Sequence, residues 1–253
     1  MTSKTFIYGL LVTFAVPWLA LLAVPSYSMS KKAPPEYVEA IDGLSGVFVP
    51  KRNGNIATGF KVYQANGCAV CHTQLIRTTD ASGSDMWRTD WAGAIDETGD
   101  SRRETRWWDF LGEDIAPIGY MRVGPDLSNL AVRISDRVNP EPKTDTGTPA
   151  GRAEVRERAA DYLYLHLFNP RDEMFGPDAR RSCCDAHPGM FEEKEIGAGP
   201  RNSALPISAK PGHEWVPTEE ATRLVSYLLS LDRDDKLPQG ASYKPKTDEK
   251  EAK

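Results

Sequence analysis

The longest apolar stretch of the chain lies at its N-terminus. Residues 6–24 form nineteen consecutive uncharged and mostly apolar positions. At about 1.5 Å per residue, a helix of this length just crosses a hydrocarbon core of roughly 30 Å. The pattern therefore predicts a membrane anchor over residues 1–28. The alternative is a cleaved signal peptide, but its apolar region usually has only about 7–15 residues, and here Pro25 would follow the cleavage site directly.

Helical periodicity recurs in three later segments. Residues 59–65 form a short amphipathic stretch for which Thr58 is a candidate cap. Apolar positions then recur with helical spacing over residues 155–167 and again over residues 221–229, where Thr218 is the candidate cap. No segment shows a convincing strand alternation. The pattern predicts a mainly α fold.

The polar and proline-bearing segments divide the chain. Residues 29–57 are polar and contain prolines, which predicts a tether between the anchor and a domain over residues 58–232. Two segments rich in turn-forming or charged residues, 80–119 and 139–151, interrupt that domain as predicted loop insertions. Residues 233–253 are a charged tail with little to bury.

Overall composition excludes two classes of protein. The 253 residues carry a formal net charge of −5 and a mean hydropathy of −0.48. This hydropathy is too low for a membrane protein with several spans. The acidic balance lacks the strongly basic face of a nucleic-acid-binding protein, so no nucleic-acid partner is expected.

A cysteine motif supplies the chemistry of the predicted domain. Cys68, Cys71 and His72 form a C-x-x-C-H run, which is typical of covalent haem attachment. Two thiols add to the two vinyl groups of the porphyrin, and the next residue places an imidazole under the iron. A zinc half-site, a thioredoxin-like pair and a structural disulfide are the alternatives. Zinc would need a second cysteine or histidine pair, but the other histidines are isolated: His166, His187 and His213.

Haem attachment also orients the predicted anchor. The positive charges on its two sides are balanced and do not decide its direction. Covalent haem is attached outside the cytoplasm, so we expect residues 1–5 inside and residues 30–253 on the periplasmic, extracytoplasmic side. The predicted localisation is a single-pass membrane protein.

Three motifs in the same order carry a resemblance to a known family. They are GCAVCHTQLIR at 67–77, RVGPDL at 122–127 and HLFNPR at 166–171. Together with the anchor they resemble the membrane-anchored mono-haem subunit II of cbb(3)-type cytochrome c oxidases. The resemblance covers the anchor and roughly residues 58–232.

The resemblance implies a fold, a cofactor and partners. It implies one class I-like cytochrome c domain with long loops and one covalent haem c. In it the carbonyl of Pro125 accepts the proton of the far ring nitrogen of the axial ligand His72. The implied function is single-electron transfer within an oxidase-like respiratory complex, with no catalytic pocket of its own. The implied partners are other subunits of that complex, the bilayer, and a soluble cytochrome or a membrane electron donor. A subunit of a different redox complex and a haem-binding sensor or assembly module are the alternatives.

The sixth iron ligand is where the chain departs from the family pattern. The family has Ser-x-Met-Pro-x-Tyr-Pro-x-Leu, and alignment with residues 182–190 puts Cys184 in place of the methionine. Met190 is favoured as the ligand, since methionine with histidine is the usual electron-transfer pair and a shift of six residues in a loop would bring it there. Cys184 is the alternative, and His187 follows. We expect His166, on an apolar helix face, to be a satisfied core histidine.

The segment after the haem motif is strongly acidic. Residues 80–114 contain ten acids, four arginines and four tryptophans. Such a surface near the haem edge would attract a basic electron donor. The four tryptophans would shield the porphyrin, or Trp107 or Trp108 would lie on the docking surface. A solvated acidic loop is the alternative. The ten acids are Asp80, Asp85, Asp90, Asp96, Glu97, Asp100, Glu104, Asp109, Glu113 and Asp114.

Overall fold

The fold is about half helical, with little sheet. The computed structural model describes residues 2–50, 52, 54–77, 85–93, 95–96, 99–100, 102–140, 143–201, 203–233 and 237–238. Nearly all of the predicted charged tail lies outside them. The helices are α1 (Ser3–Ser30), α2 (Glu39–Asp42), α3 (Gly54–Ala65), α4 (Cys68–Cys71), α5 (Thr89–Ala92), α6 (Leu130–Val138), α7 (Pro149–Phe168) and α8 (Glu219–Leu228). The strands are β1 (Glu36–Tyr37), β2 (Gly46–Val47), β3 (Ile95–Asp96), β4 (Gly99–Asp100), β5 (Phe191–Glu195) and β6 (His213–Pro217).

The N-terminal helix is long and apolar enough to cross a membrane. α1 has 28 residues, with a π-helical segment at Leu19–Ala23, and its most apolar window is not buried against the described part of the protein. The helix continues two residues past the predicted boundary at residue 28. Its length and composition are those of a membrane-spanning segment, and a signal sequence near the N-terminus shares them.

The core of the domain is organised around the crossing of α3 and α8. The rings of Phe60 and Tyr63 each lie 5.4 Å from the ring of Tyr227, and all three side chains are buried. The two backbones meet at Gly59, where an added Cβ would lie 2.0 Å from the carbonyl oxygen of Arg223. Only glycine permits this approach.

One predicted helix cap is wrong and another is confirmed. α3 begins at Gly54, so Thr58 lies inside it, and its hydroxyl donates to the carbonyl of Gly54 at 2.7 Å. Thr218 does cap α8, because its side chain accepts a hydrogen bond from the amide of Ala221. The difference arises because a threonine hydroxyl can also bond to the carbonyl four residues earlier in a helix.

The helix pair α6 and α7 covers another side of the core. α7 is capped by Thr148, whose side chain accepts from the amide of Gly151, so the last three residues of the predicted 139–151 loop are helical. α6 was not predicted. Its buried residues Leu130 and Ile134 belong to the same core cluster as Ala159 and Leu163 of α7.

The structure contains strands where the sequence pattern predicts none. Three two-stranded antiparallel sheets are present in the described chain, and the longest pairs β5 with β6. β6 alternates in burial, but one of its inward positions is Glu214. That carboxylate is paired with Arg201 at 2.5 Å. A buried carboxylate, paired with an exposed arginine, therefore hides the apolar alternation that a strand usually shows.

The predicted tether packs onto the domain. Phe48 is only 5% exposed, and Nε of Arg52 lies 2.6 Å from a carboxylate oxygen of Glu113. Helix α3 also starts four residues before the predicted domain boundary at residue 58. The polar composition of residues 29–57 therefore does not reveal their contacts with the domain, which are long-range.

A buried carboxylate organises the first part of the 80–119 loop. Asp85 is 2% exposed and forms ion pairs with Arg77 at 2.9 Å and Arg122 at 2.7 Å. Burial opposes its ionisation, but the hydrogen bonds from Arg122 and Arg77 outweigh this and hold the pKa of Asp85 well below its usual range. Beside it Ile76, Met86, Trp91 and Ala92 form a small second core.

Replacing Asp85 by asparagine should destabilise the domain in a pH-dependent way. The loss of a buried, charge-paired carboxylate should lower the thermal midpoint by roughly 5–10 °C at pH 7. Because the pKa of Asp85 is lower in the folded than in the unfolded state, its carboxylate stabilises the fold at pH values above the unfolded-state pKa of about 3.9. This stabilisation is lost as the pH falls from there toward the folded-state pKa. The difference between wild type and Asp85→Asn should therefore shrink below about pH 4.

Thermal unfolding of the detergent-solubilised full-length protein at pH 7 and pH 3 measures both effects. Asp114→Asn, which changes an exposed carboxylate of the same loop, is the matched control and should leave the midpoint unchanged. A pH-independent difference for Asp85→Asn would contradict the assignment of its effect to the two ion pairs.

Candidate functional site

The cysteine motif lies directly after the helix crossing. α3 ends at Ala65, and Gly67 adopts a left-handed conformation with φ +67° before α4 begins. This turn places the single helical turn Cys68–Cys71 beside the core. Gln74, just after the motif, donates from its amide to the hydroxyl of Tyr227 at 2.9 Å. The crossing of α3 and α8 therefore holds the motif from both sides.

The imidazole of His72 is held by the segment around Pro125. Its Nδ1 lies 2.8 Å from the carbonyl oxygen of Pro125, the contact that the resemblance implies. With the proton on Nδ1, the ring donates this bond and leaves Nε2 free to act as a ligand. Gly124 packs against the ring, since a Cβ there would lie 2.2 Å from Cε1 of His72.

A hydrogen-bond network joins this segment to the residues after the motif. The hydroxyl of Thr73 donates to the carboxylate of Asp126 at 2.5 Å, and Nε of Arg122 donates to Thr73 at 2.8 Å. Asp126 also accepts from the amide of Leu75 at 2.9 Å. The first two motifs of the resemblance thus form one connected unit around His72.

A cavity of about 460 Å³ opens beside His72. Its lining is mainly apolar and includes Leu127, Leu130, Ile134, Leu163, Leu224 and Leu228. Its volume is in the range of sites for cofactors and small molecules. The polar lining contains both motif cysteines and His72, together with His166, His187, Cys183, Cys184, Arg133, Arg137, Arg181, Asp178 and Asp185.

Burial keeps the donor groups of this cavity neutral. It raises the pKa of the Cys68 thiol to about 11 and lowers the pKa of His72. A neutral imidazole has a free lone pair on its unprotonated nitrogen, which is the form that binds a metal.

The cavity also carries excess positive charge. Arg133 is half-buried, and one of its guanidinium nitrogens, Nη1, has no hydrogen-bond partner within the described part of the chain. Burial lowers the pKa of Arg133, so its charge is held at a cost. Arg137 and Arg181 line the same cavity. A buried cation without a full set of partners is suited to an anionic ligand.

His166 differs from its prediction. It is half-buried and lines the cavity, and its Nδ1 has no hydrogen-bond partner among the described residues. Burial, with the nearby charges of His72 and Arg137, lowers the pKa of His166 to about 4. The expectation of a satisfied core histidine is therefore wrong. Its helical spacing alone could not distinguish a cavity wall from a packed core.

The structure separates the candidates for the sixth iron ligand. Cys184 and His187 line the cavity, while Met190 is not among the described residues that do so. Met190 is 5% exposed within the main core cluster. Its carbonyl accepts the amide of Thr218 at 2.9 Å, and β5 begins at the next residue. This arrangement holds Met190 away from the cavity.

The residues that line the cavity fit a haem. No group of three or more histidine, cysteine, aspartate or glutamate side chains suited to holding a bare metal ion occurs among the described residues. A haem brings its own four nitrogen ligands and needs only axial ones. A haem is a flat apolar ring that carries two carboxylates. The cavity provides two thiols and an oriented imidazole for attachment and ligation, an apolar lining for the ring, and an incompletely paired arginine for the carboxylates.

The acidic segment does not form the predicted docking face at three of its positions. Asp85, Asp109 and Glu113 are held by arginines, with Asp109 lying 2.6 Å from Arg103 and 3.5 Å from Arg233. These ion pairs stabilise the loop. They also neutralise three carboxylates that would otherwise attract a basic electron donor. Asp80 and Glu97 lie outside the described residues, as do the side chains of Asp96 and Asp100.

The four tryptophans of this segment lie away from the cavity lining. Trp91 is buried in the second core beneath the guanidinium of Arg88, which lies 3.6 Å from its ring centroid. Trp107 and Trp108 pack edge to face at 5.8 Å, while Trp87 is 81% exposed. None of them lines the described cavity, so the expectation that they shield a porphyrin is not met.

Comparison with known proteins adds no assignment to this geometry. No known family model matches the chain, and no curated protein is significantly similar to it. The site is therefore interpreted from its own residues.

Proposed function

We propose that this chain is a membrane-anchored mono-haem c-type cytochrome that transfers single electrons within an oxidase-like respiratory complex. Cys68 and Cys71 would hold the haem covalently, and His72 would be one axial ligand, with Pro125 fixing its tautomer. The haem supplies the one-electron chemistry, and the protein supplies attachment, orientation and electrostatics.

The main support for this proposal is that all three chemical groups of the C-x-x-C-H motif lie at one cavity. Both motif cysteines and His72 line it, and the free ring nitrogen of His72 is the one not bonded to Pro125. A thioredoxin-like pair would not need an oriented histidine or an apolar cavity of about 460 Å³. The cysteines also remain apart as free thiols, as attachment requires.

Two further features support the anionic character of the ligand. Arg133 has an unpartnered nitrogen at the cavity within the described chain, and Arg137 lines the cavity near it. The two carboxylates of a haem would complement these cations. A purely apolar ligand would leave the charge of Arg133 uncompensated.

The membrane placement and the partners are also part of the proposal. Haem attachment outside the cytoplasm places the domain on the periplasmic side of the anchor formed by α1. Tethering beside a membrane complex raises the effective concentration of the domain at its electron partner. The remaining subunits of that complex and an electron donor would be the partners, as in the cbb(3)-type oxidases that the three motifs resemble.

The proposal is tested on the full-length protein extracted from membranes. A denaturing gel should show peroxidase-active haem at a mobility of about 28 kDa. Titration with a mild reductant should convert the absorption spectrum with one-electron stoichiometry and full reversal on oxidation. Absence of covalent haem would overturn the proposal. Covalent haem without reversible reduction would favour the alternative of a haem-binding sensor or assembly module.

A further inference from the structure

We propose that Sγ of Cys184 is the second axial ligand of the haem iron, which would give the site His72/Cys184 ligation. This inference rests on the proposed haem. It goes beyond haem attachment because the second axial ligand determines the redox potential of the iron. The usual partner of histidine in electron-transfer cytochromes is methionine, so a thiolate would make this haem chemically different.

Among the described residues that line the cavity, every sulfur atom belongs to a cysteine. In the described lining, the sulfur donors besides the two motif cysteines are Cys183 and Cys184. Moving the backbone of Met190 into the cavity would disrupt the 3₁₀ turn Pro188–Met190 and break the bond from the Thr218 amide to its carbonyl. The first pair of the β5–β6 ladder, Phe191 with Pro217, would be disturbed as well.

Burial and surroundings favour Cys184 over Cys183. Cys183 is exposed, and its sulfur points to the carbonyl of Arg181 at 3.9 Å. Cys184 is half-buried, and its sulfur has only a long contact of 3.7 Å with the carbonyl of Asp185. Cys184 lines the same cavity as both motif cysteines.

The backbone around Cys184 is irregular. The residue lies in the irregular segment between the 3₁₀ turns Ala179–Arg181 and Pro188–Met190, anchored where the amide of His187 donates to Leu167 at 2.8 Å. The competing nitrogen donors of the lining are His187 and His166. His166 is fixed on α7 with its ring edge-on to Phe175 at 5.1 Å. Irregular backbone adjusts by small rotations, whereas a residue inside a helix moves only with the helix.

Ligation is chemically balanced without an additional reactant. The Cys184 thiol loses its proton to solvent as the sulfur–iron bond forms, and the iron keeps its oxidation state. The charged groups lining the same cavity are Arg133, Arg137 and Arg181 against Asp178 and Asp185. Burial and the neighbouring carboxylate of Asp185 raise the pKa of the free Cys184 thiol, so the bond to iron, and not the surroundings, would drive its deprotonation. A thiolate donates more electron density than a thioether, so it stabilises ferric iron and lowers the midpoint potential.

The test compares four full-length variants with the wild type. Cys184→Met should introduce the weak near-infrared band of methionine sulfur in the oxidised protein and raise the midpoint potential. Cys184→Ser should remove the thiolate signature from the low-spin electron paramagnetic resonance spectrum. Cys183→Ser and Met190→Leu are the matched controls and should leave both spectra unchanged.

The outcomes separate this inference from the proposed function. Peroxidase-active haem on a denaturing gel reports attachment whatever the second axial ligand is. If wild type carries covalent haem but both Cys184 variants keep its spectra, the inference is wrong. Loss of the wild-type spectrum in Met190→Leu, or in an additional His187→Gln or His166→Gln variant with Cys184 intact, would assign the ligand to that residue instead. Absence of haem from wild type would overturn both proposals.

Discussion

Simultaneous replacement of Cys68 and Cys71 by alanine should abolish haem staining on a denaturing gel completely. Each cysteine would contribute one thioether bond, so the double variant has no covalent attachment that survives denaturation. The single variants should each retain reduced staining through the remaining bond. Cys183→Ala is the matched control, since it removes an exposed thiol of the same cavity and should leave staining unchanged.

Protein abundance must be measured together with haem in this experiment. Loss of the haem would leave a cavity of about 460 Å³ without the ligand whose binding stabilises the folded state. The double variant should therefore accumulate less, and an antibody to a terminal tag normalises the staining to the amount of protein. Covalent haem in the double variant at equal protein load would contradict the assignment of the two cysteines.

Gly59→Ala should destabilise the domain by about 3 kcal/mol, although alanine is the better helix former. The added Cβ would lie 2.0 Å from the carbonyl oxygen of Arg223 and 2.8 Å from Cβ of Tyr227. Backbone cannot move aside as a flexible side chain does, so α3 and α8 would have to separate. The motif cysteines follow α3 directly, and haem incorporation should fall as well.

Gly54→Ala in the same helix is the control. Nothing lies within 4 Å of a Cβ at this position, so the substitution should be neutral or slightly stabilising. Thermal unfolding of the two detergent-solubilised variants beside wild type measures the difference. Equal midpoints for the two variants would show that the close approach of the helices at Gly59 contributes little to stability.

The local signals were sufficient to predict several elements. The uncharged run at residues 6–24 predicted α1, because length and lack of charge alone decide whether a segment can span a bilayer. Thr218 predicted the start of α8, since a cap depends on neighbours three residues away. The groups of the C-x-x-C-H run are also adjacent in the chain, and the haem attachment that they predict stays a prediction.

Long-range contacts decided what the local pattern concealed. The acids of the 80–119 loop carry no sign of being paired, yet Asp85 is held by arginines that lie 8 and 37 residues away. Glu214 masks the alternation of β6 by pairing with Arg201, 13 residues away. A charged side chain is buried only where the tertiary fold supplies a partner of opposite charge. The composition of the surrounding segment therefore does not show which charges are buried.

By itself, the sequence determined the long apolar N-terminal helix, the start of α8 and the adjacent trio Cys68, Cys71 and His72, because each depends on residues close together in the chain. Only the tertiary structure decided which distant residues share the cavity. It brought Cys184, His166 and Arg133 to the wall beside His72 and placed Met190 in the core. The physical reason is that a ligand set requires side chains to converge in space, and the packing of α3, α6, α7 and α8 determines which ones do.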